Sequence, residues 1–344
     1  MKTLLCRNES NVPARDAGRR KRAGWAVALA CVVGGVIQPA RAAEWAEVTC
    51  NGVPSARHEA GFVACGDHLH LLGGRGRKPV DTFDPKTSTW RRAAEAPMEI
   101  HHFQAVVWRE RIYLPGAMTG GFPREKPLDH IPVYDPATET WSRGPEVPEG
   151  RRRGGAGAVV VGDDLYVVAG IVDGHMGGFV PWLDRVNLVT GEWTVLPDAP
   201  HARDHFSAVE IGGRIYAAGG RTTSHATGEL FSLLVAPVDV YDIRVAKWAS
   251  LPEPLPTPRA GNAAVAANGW LWVVGGESHT QGEAHSEVEV YDPARGSWKT
   301  MPPLVAGRHG TGVAVWGGKL WIASGSGRRG GGPELTSLEA VALP

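Results

Sequence analysis

Between Gly275 and Trp298 the chain reads GGESHTQGEAHSEVEVYDPARGSW, which crowds Glu277, His279, Glu283 and His285 into nine residues. Carboxylates and imidazoles at that density can exchange protons or hold a metal, and they can equally be a solvated loop. Three dipeptides elsewhere carry similar groups: His58-Glu59, His101-His102 and Asp204-His205. Arginines stand immediately before two of them, at Arg57 and Arg203, and recur at Arg153, Arg259 and Arg308. A guanidinium binds carboxylates bidentately, and it binds backbone carbonyls just as readily. What these groups do depends on where the chain places them.

The placement comes from an internal repeat. ARDHFSAVEIGGRIYAAGGR, from Ala202, lies over PRAGNAAVAANGWLWVVGGE, from Pro258: an Arg, an alternating apolar strand, a turn, a second apolar strand and a diglycine. VDVYD (238–242) or VEVYD (288–292) follows, then a Trp. Trp90, Trp141, Trp193, Trp248 and Trp298 are spaced by 51, 52, 55 and 50 residues. With 45 Gly and 26 Pro, the chain has turns enough for four short strands per unit. Gly-Gly allows close backbone approach near an axis, Asp-Pro at 84–85, 135–136 and 292–293 starts a tight turn, and Trp supplies a large apolar anchor.

A unit of this length with diglycine, Tyr-Asp and a spaced Trp resembles the kelch repeat of β-propellers. Pro115-Gly116, Ala169-Gly170 and Ser324-Gly325 blur the diglycine in units two, three and six. The resemblance implies an all-β fold of six blades over residues 43–344, each Trp packing on the next blade. Trp45-Ala46-Glu47-Val48 reads as an orphan fourth strand and LTSLEAVALP as a blade lacking one, so both chain ends are expected to share blade six. In such a propeller the 4–1 and 2–3 loops share one face, and all four residues of the opening stretch fall there.

Two positions per blade should ring the channel mouth on that face. The first residues of strand 1 are Arg57, Ile100, Arg153, Arg203, Arg259 and Arg308; Arg75, Met118, Ile171, Arg221, Glu277 and Ser326 follow the diglycine position. Arg203, Arg221, Arg259, Arg308, Arg75, His101 and His102 are accordingly candidate ligand-binding residues, for a small anionic or carbohydrate ligand. Glu277, His205 and Asp204 are candidate catalytic residues, because a carboxylate and an imidazole on one arginine-lined mouth suit proton transfer. The structural readings beside these are arginines bonded to carbonyls of neighbouring loops, and Glu277 salt-bridged to Arg259 or Arg221. His279, Glu283 and His285 are expected on a solvated rim.

Glu277, Gln281 and His285 share the spacing of the iron motif of plant kelch specifier proteins, which resembles E-x3-D-x3-H, but Gln281 removes the middle carboxylate. No metal and no cofactor are expected. Galactose oxidase is also a kelch propeller, yet the six tyrosines here all fall at repeat positions within strands, so its copper site is not expected. The chain resembles the exported N-acetylneuraminate mutarotases in length, leader and blade number. That likeness implies an isomerase in which mouth arginines hold a sugar-acid carboxylate while Glu277 and His205 trade protons. The other reading is a binding module using the mouth and loops 117–131, 171–183 and 221–237 to hold a glycan or a protein.

Residues 1–42 are a different material. Arg19-Arg20-Lys21-Arg22 precedes the 15-residue apolar run AGWAVALACVVGGVI, and Ala40-Arg41-Ala42 fits a small-x-small cleavage site. That order reads as a secretory signal peptide, and the run is short of the roughly 20 residues of a membrane span. A periplasmic or extracellular monomer is expected. Past residue 42 there remain 28 Lys/Arg against 34 Asp/Glu, with no basic run, which argues against nucleic-acid or membrane-surface partners. Cys50 and Cys65 also remain, expected as two mostly buried thiols at opposite ends of their strands.

Overall fold

The computed structural model describes residues 43–344; the signal-peptide reading of residues 1–42 lies outside the described residues. Six four-stranded antiparallel sheets form, together with one two-stranded ribbon, Met118–Thr119 with Lys126–Pro127. Each sheet is a blade whose first strand faces the axis: Ala60–Cys65, Val106–Trp108, Gly157–Val161, Ser207–Ile211, Ala263–Ala267 and Val313–Trp316. These inner strands pack on one another in a closed circle, blade six returning to blade one. Among the described residues no helix is long and apolar enough to cross a membrane.

Local chemistry explains the hairpins. In blade five Asn268-Gly269 joins Ala263–Ala267 to Trp270–Val274 with φ of 52° and 75° at the two residues, the positive pair that a two-residue hairpin needs. The chain ends meet in blade six, where Ala46 and Glu47 pair with Ala340 and Glu339. Trp45 is buried in the apolar layer between blades five and six, while the repeat tryptophans pack between other pairs of blades. Each repeat Trp packs against the preceding blade, which corrects the expected direction: Trp193 of blade three joins Val106, Ile131 and Val133 of blade two. Only Trp90 of the five spaced tryptophans is fully buried. Cys65 is buried and Cys50 half-buried, both as free thiols.

The diglycine position is a backbone requirement. Its first residue has positive φ in every blade, 65° at Gly73 and at Gly116, and 52° and 59° where Ala169 and Ser324 replace glycine. Blade two therefore aligns as Gly116-Ala117, not Pro115-Gly116. A Cβ on Gly275 would lie 2.2 Å from the Arg308 carbonyl oxygen, so the chain there is held against the next blade.

The arginines that start strand 1 belong to this scaffold. Arg57, Arg153, Arg203, Arg259 and Arg308 each donate to the carbonyl of the first diglycine residue, from Arg259 Nε to Gly275 O at 2.6 Å and from Arg203 Nη1 to Gly219 O at 2.9 Å. Each also pairs with a carboxylate on strand 3 of its own blade: Asp81, Asp184, Asp239, Glu289 and Glu339. Blade two lacks both partners, with Ile100 for the arginine and Pro132 at the carboxylate position. Arg203, Arg259 and Arg308 are at most 1% exposed and bond only within the scaffold, which corrects their expected role as ligand-binding residues.

Candidate functional site

Two backbone rings build the mouth. In the outer ring, in blades two to six, the residue after the leading position bridges to the residue after the diglycine: His101 with Met118, Gly154 with Ile171, Asp204 with Arg221, Ala260 with Glu277 and His309 with Ser326. The inner ring comprises Glu59, His102, Gly155, His205, Gly261 and Gly310, all with φ between 54° and 64°. Its amides run from blade to blade: His102 N–H donates to Glu59 O at 3.0 Å, Gly155 to His102 O and His205 to Gly155 O at 2.9 Å, and Gly310 to Gly261 O at 3.0 Å. Ala60 N–H closes the circle on Gly310 O at 3.0 Å.

Glycine fits this left-handed conformation freely; Glu59, His102 and His205 hold it at a cost of about 1–2 kcal/mol each. Residues kept in a disfavoured conformation at the centre of a channel mark the place where side chains were worth that cost. All three face the axis. The His102 and His205 ring centroids lie 4.9 Å apart, and His102 Nε2 is 3.6 Å from Glu59 Oε2.

Above the inner ring opens a cavity of about 580 Å³, lined among others by Glu59, Arg75, Phe122, His175, Arg221, Phe231 and Glu277. A neck of about 40 Å³ at the inner ring separates it from a second cavity of about 340 Å³ lined by the inner strands of all six blades.

Glu277 sits in the mouth wall, 1% exposed. One oxygen pairs with Arg221 Nη1; the other accepts from Gly330 N–H at 2.7 Å and lies 3.3 Å from His309 Nε2. Burial alone would raise its pKa, but His309, Arg221 and the Gly330 amide hold it at about 2. Arg221 also donates to Thr223 Oγ1 at 2.7 Å and lies over the Phe231 ring at 5.2 Å. Its pKa is raised: burial opposes the charge, and Glu277 and Asp204 more than offset that. Arg75, the other arginine of the mouth, pairs with the buried Glu125 at 2.5 Å.

His205 and Asp204 lie deeper. Asp204 takes the His205 Nδ1 proton donor and accepts from Thr223 Oγ1 at 2.6 Å, while His205 faces the neck and not Glu277. The expected Glu277–His205 couple is therefore not formed, and His309 is the imidazole beside Glu277. His101 is buried behind His102, its Nδ1 2.7 Å from that of His102 and its Nε2 3.0 Å from Gly120 O. Of the opening stretch, His279 and Glu283 are exposed as expected. His285 is not: it is buried between Ser278 Oγ at 2.8 Å and Glu287 Oε2 at 2.9 Å.

Four contributors were not among the expected site residues, although Glu59 stood out in His58-Glu59. Glu59 occupies the same repeat position as His102 and His205, and His309 the same position as Asp204, so alignment of the repeats could have found both. His175, whose ring lies 4.8 Å from that of His205, and Phe231 come from 2–3 loops, whose sequences do not follow the repeat. His102, His175 and His205 are the three residues whose ligand atoms converge, all within 4.8 Å of one another.

A family model described as the Attractin/LZTR1 beta-propeller matches residues 39–279, and a Kelch motif matches 258–305. The Kelch-like protein terF of Aspergillus terreus is 29% identical over 81% of this chain and 63% of its own. Alpha-scruin of Limulus polyphemus is 26% identical over 77% of this chain and 23% of its own, and Kelch-like protein 23 of Homo sapiens 24% over 73% and 43%. The chain thus matches less than two thirds of the length of each of these relatives. The solved structure of YjhT superposes with a TM-score of 0.69 at 16% identity, over 84% of this chain and 95% of that one, a likeness of fold. With six closed blades, a diglycine-position turn in each and a matching model over most of its length, the chain belongs to the kelch-repeat Attractin/LZTR1 β-propeller family.

Proposed function

We propose that this propeller is a binding protein for a small, polyhydroxylated carbohydrate held in the mouth cavity. The observation that carries the reading is the cavity itself: about 580 Å³, with Phe122 and Phe231 as aromatic walls and Glu59, Glu99, Glu277, Arg75 and His58 as polar groups. Aromatic faces with a few fixed donors and acceptors suit a sugar ring. An anion is served less well. Arg221 is already paired with Glu277 and Arg75 with Glu125, so an incoming carboxylate must compete with buried partners for either guanidinium.

The sugar-acid isomerase needs Glu277 and His205 to exchange protons with one ligand. A carboxylate held near 2 by His309, Arg221 and the Gly330 amide is a weak base, and His205 faces the neck below the cavity. Binding is the better-supported reading. Ligand-observed NMR with neutral mono- and oligosaccharides, and with N-acetylneuraminate, tests it. Saturation transfer to a neutral saccharide, removed by Phe231→Ala, is the expected result. No transfer to any saccharide, or transfer unchanged in that variant, overturns it, and faster anomer exchange of N-acetylneuraminate would favour the isomerase instead.

Export belongs to the same reading, supported by the basic, apolar and small-residue order of residues 1–42. N-terminal sequencing of the protein recovered from its producing cells, expected to begin at Ala43, checks it.

A further inference from the structure

The geometry points to a binding site for one divalent first-row transition-metal ion at the neck of the channel, formed by His102, His175 and His205 with Glu59. The inference does not rest on the carbohydrate reading, although Glu59 and His175 border both sites. His102 and His205 come from the inner ring in blades two and four, and His175 from the 2–3 loop of blade three, so three neighbouring blades converge on one point. All three imidazoles are buried, and one ligand atom from each lies within 4.8 Å of the others.

The hydrogen bonds around them fix which nitrogen carries the proton. Asp204 can only accept from His205 Nδ1, so that nitrogen holds the hydrogen and Nε2 holds a lone pair. Glu125 Oε1 lies 2.9 Å from His175 Nδ1, a close ionic contact without hydrogen-bond alignment, and its charge favours a proton on that nitrogen. For His102 the argument passes through its neighbour. Gly120 O can only accept, so His101 Nε2 donates to it, His101 Nδ1 is an acceptor, and His102 Nδ1 must donate across the 2.7 Å contact. His102 Nε2 is then a lone pair too.

The Nε2 lone pairs of His102 and His205 therefore meet at the neck, and His175 brings one ring nitrogen within the same reach. Nε2 of His102 and Nε2 of His205 are buried without a hydrogen-bond partner. A cation that accepts an electron pair from each ring satisfies them together. Carboxylates behind Nδ1 are the outer arrangement that orients imidazole ligands on a metal, and two of the three histidines have one. Glu59 Oε2, 3.6 Å from His102 Nε2, stands outside the three converging ligands and would approach to serve as a charged fourth donor. Three imidazoles and one carboxylate suit zinc, iron, copper or nickel over magnesium or calcium. Metal–nitrogen bonds of about 2.1 Å around a four-coordinate ion place ligand atoms about 3.4 Å apart, so a pair at 4.8 Å closes by roughly 1.4 Å on binding. His175 and Glu59 also line the mouth cavity, so any remaining coordination position faces that space.

The test uses the full propeller, residues 43–344, without a polyhistidine tag. After dialysis against a chelator it is titrated with Co2+ alone, followed by visible absorption and by calorimetry, and its melting temperature is recorded with and without the ion. One equivalent of Co2+ is expected, with ligand-field bands and a raised melting temperature. His102→Asn and His205→Asn keep a residue that tolerates the left-handed backbone, and His175→Asn changes a loop residue. Each should abolish the bands, and Glu125→Gln should weaken binding by about 10–100-fold. His285→Ala, outside the cluster, should leave it unchanged. Absence of stoichiometric binding by the folded wild type overturns the inference and leaves the cluster to water, as does binding that survives in folded His175→Asn.

Discussion

Glu277 takes Arg221 as its partner across the gap between blades five and four, while His205, one blade position away in sequence logic, turns down into the neck and bonds Asp204. That pairing makes the mouth wall an ionic clasp. Gly330 N–H, on the 2–3 loop of blade six, donates to the same carboxylate at 2.7 Å, so three blades are held by one side chain. Removing the charge leaves Arg221 buried without its main counterion, which in a buried pair costs about 3–5 kcal/mol. Glu277→Gln keeps the shape and some hydrogen bonding, so it should lose about half of that, read as a lowered urea midpoint at unchanged slope.

The clasp also has a pH signature. The Glu277 carboxyl is depressed from its ordinary 4.5 to about 2, so its contribution to stability is present above pH 4.5 and is lost as pH falls through 2. The wild type should lose stability across that window more steeply than Glu277→Gln. Unfolding curves at stepped pH check this, and parallel curves for the two proteins would show that the carboxyl is not held low.

His70 should give the opposite kind of group at a different pH. It lies in strand 2 of blade one, 3% exposed, with Nδ1 3.2 Å from Thr82 Oγ1 and Nε2 unpartnered. Burial, helped by His68, pushes its pKa from 6.5 down to about 4. The folded state prefers neutral imidazole, so the unfolded chain binds a proton first as pH falls. Stability is thus full above 6.5 and declines as pH drops from 6.5 to 4, by about 3 kcal/mol. His70→Phe should flatten that decline between pH 6.5 and 4 without altering the Glu277 window below it.

How far the sequence disclosed this arrangement varied with whether a residue repeats. The period, the blade count and the shared blade at the chain ends depend on residues that recur, and Trp45 could be recognised as the displaced anchor of blade six. The leading arginines were harder. Their number and position suggested a basic ring, and only the direction of each side chain decides between ring and scaffold. One signal was present: Ile100 and Pro132 replace arginine and carboxylate together in the same blade, as expected of residues that pair with each other. His175 and Phe231 had no such signal. They sit in 2–3 loops of variable sequence, where nothing in the repeat fixes which side chain points to the axis.

The scaffold reading of the arginines predicts a coupled loss. Arg259, fully buried, bonds Gly275 O and Glu289 out of water and Thr257 O at the edge of the scaffold. Arg259→Met alone strands the Glu289 carboxylate and should cost about 3–5 kcal/mol. The double variant Arg259→Met with Glu289→Leu removes both charges and should recover part of that, in the way blade two manages with Ile100 and Pro132. Chemical denaturation of the two singles and the double gives the coupling energy, and simple additivity would argue against a closed pair.

The inner ring makes the last prediction, because it separates backbone conformation from crowding. Gly310 and Gly66 have nearly the same φ, 64° and 59°, so alanine carries the same left-handed strain at either. Around Gly66 a Cβ meets nothing within 4 Å, whereas at Gly310 it would lie 2.8 Å from the Glu59 amide nitrogen, inside the circle of blade-to-blade hydrogen bonds. Gly66→Ala should therefore cost only the conformational share, about 1–2 kcal/mol. Gly310→Ala should cost that and more, because the Ala60–Gly310 bond that closes the ring must give way. Hydrogen exchange locates the difference: in Gly310→Ala the amides of Ala60 and His102 should exchange faster, while in Gly66→Ala they should stay protected. Equal destabilisation by the two substitutions would mean that the circle of amides adds nothing to closure, and that side-chain packing between the blades carries it alone.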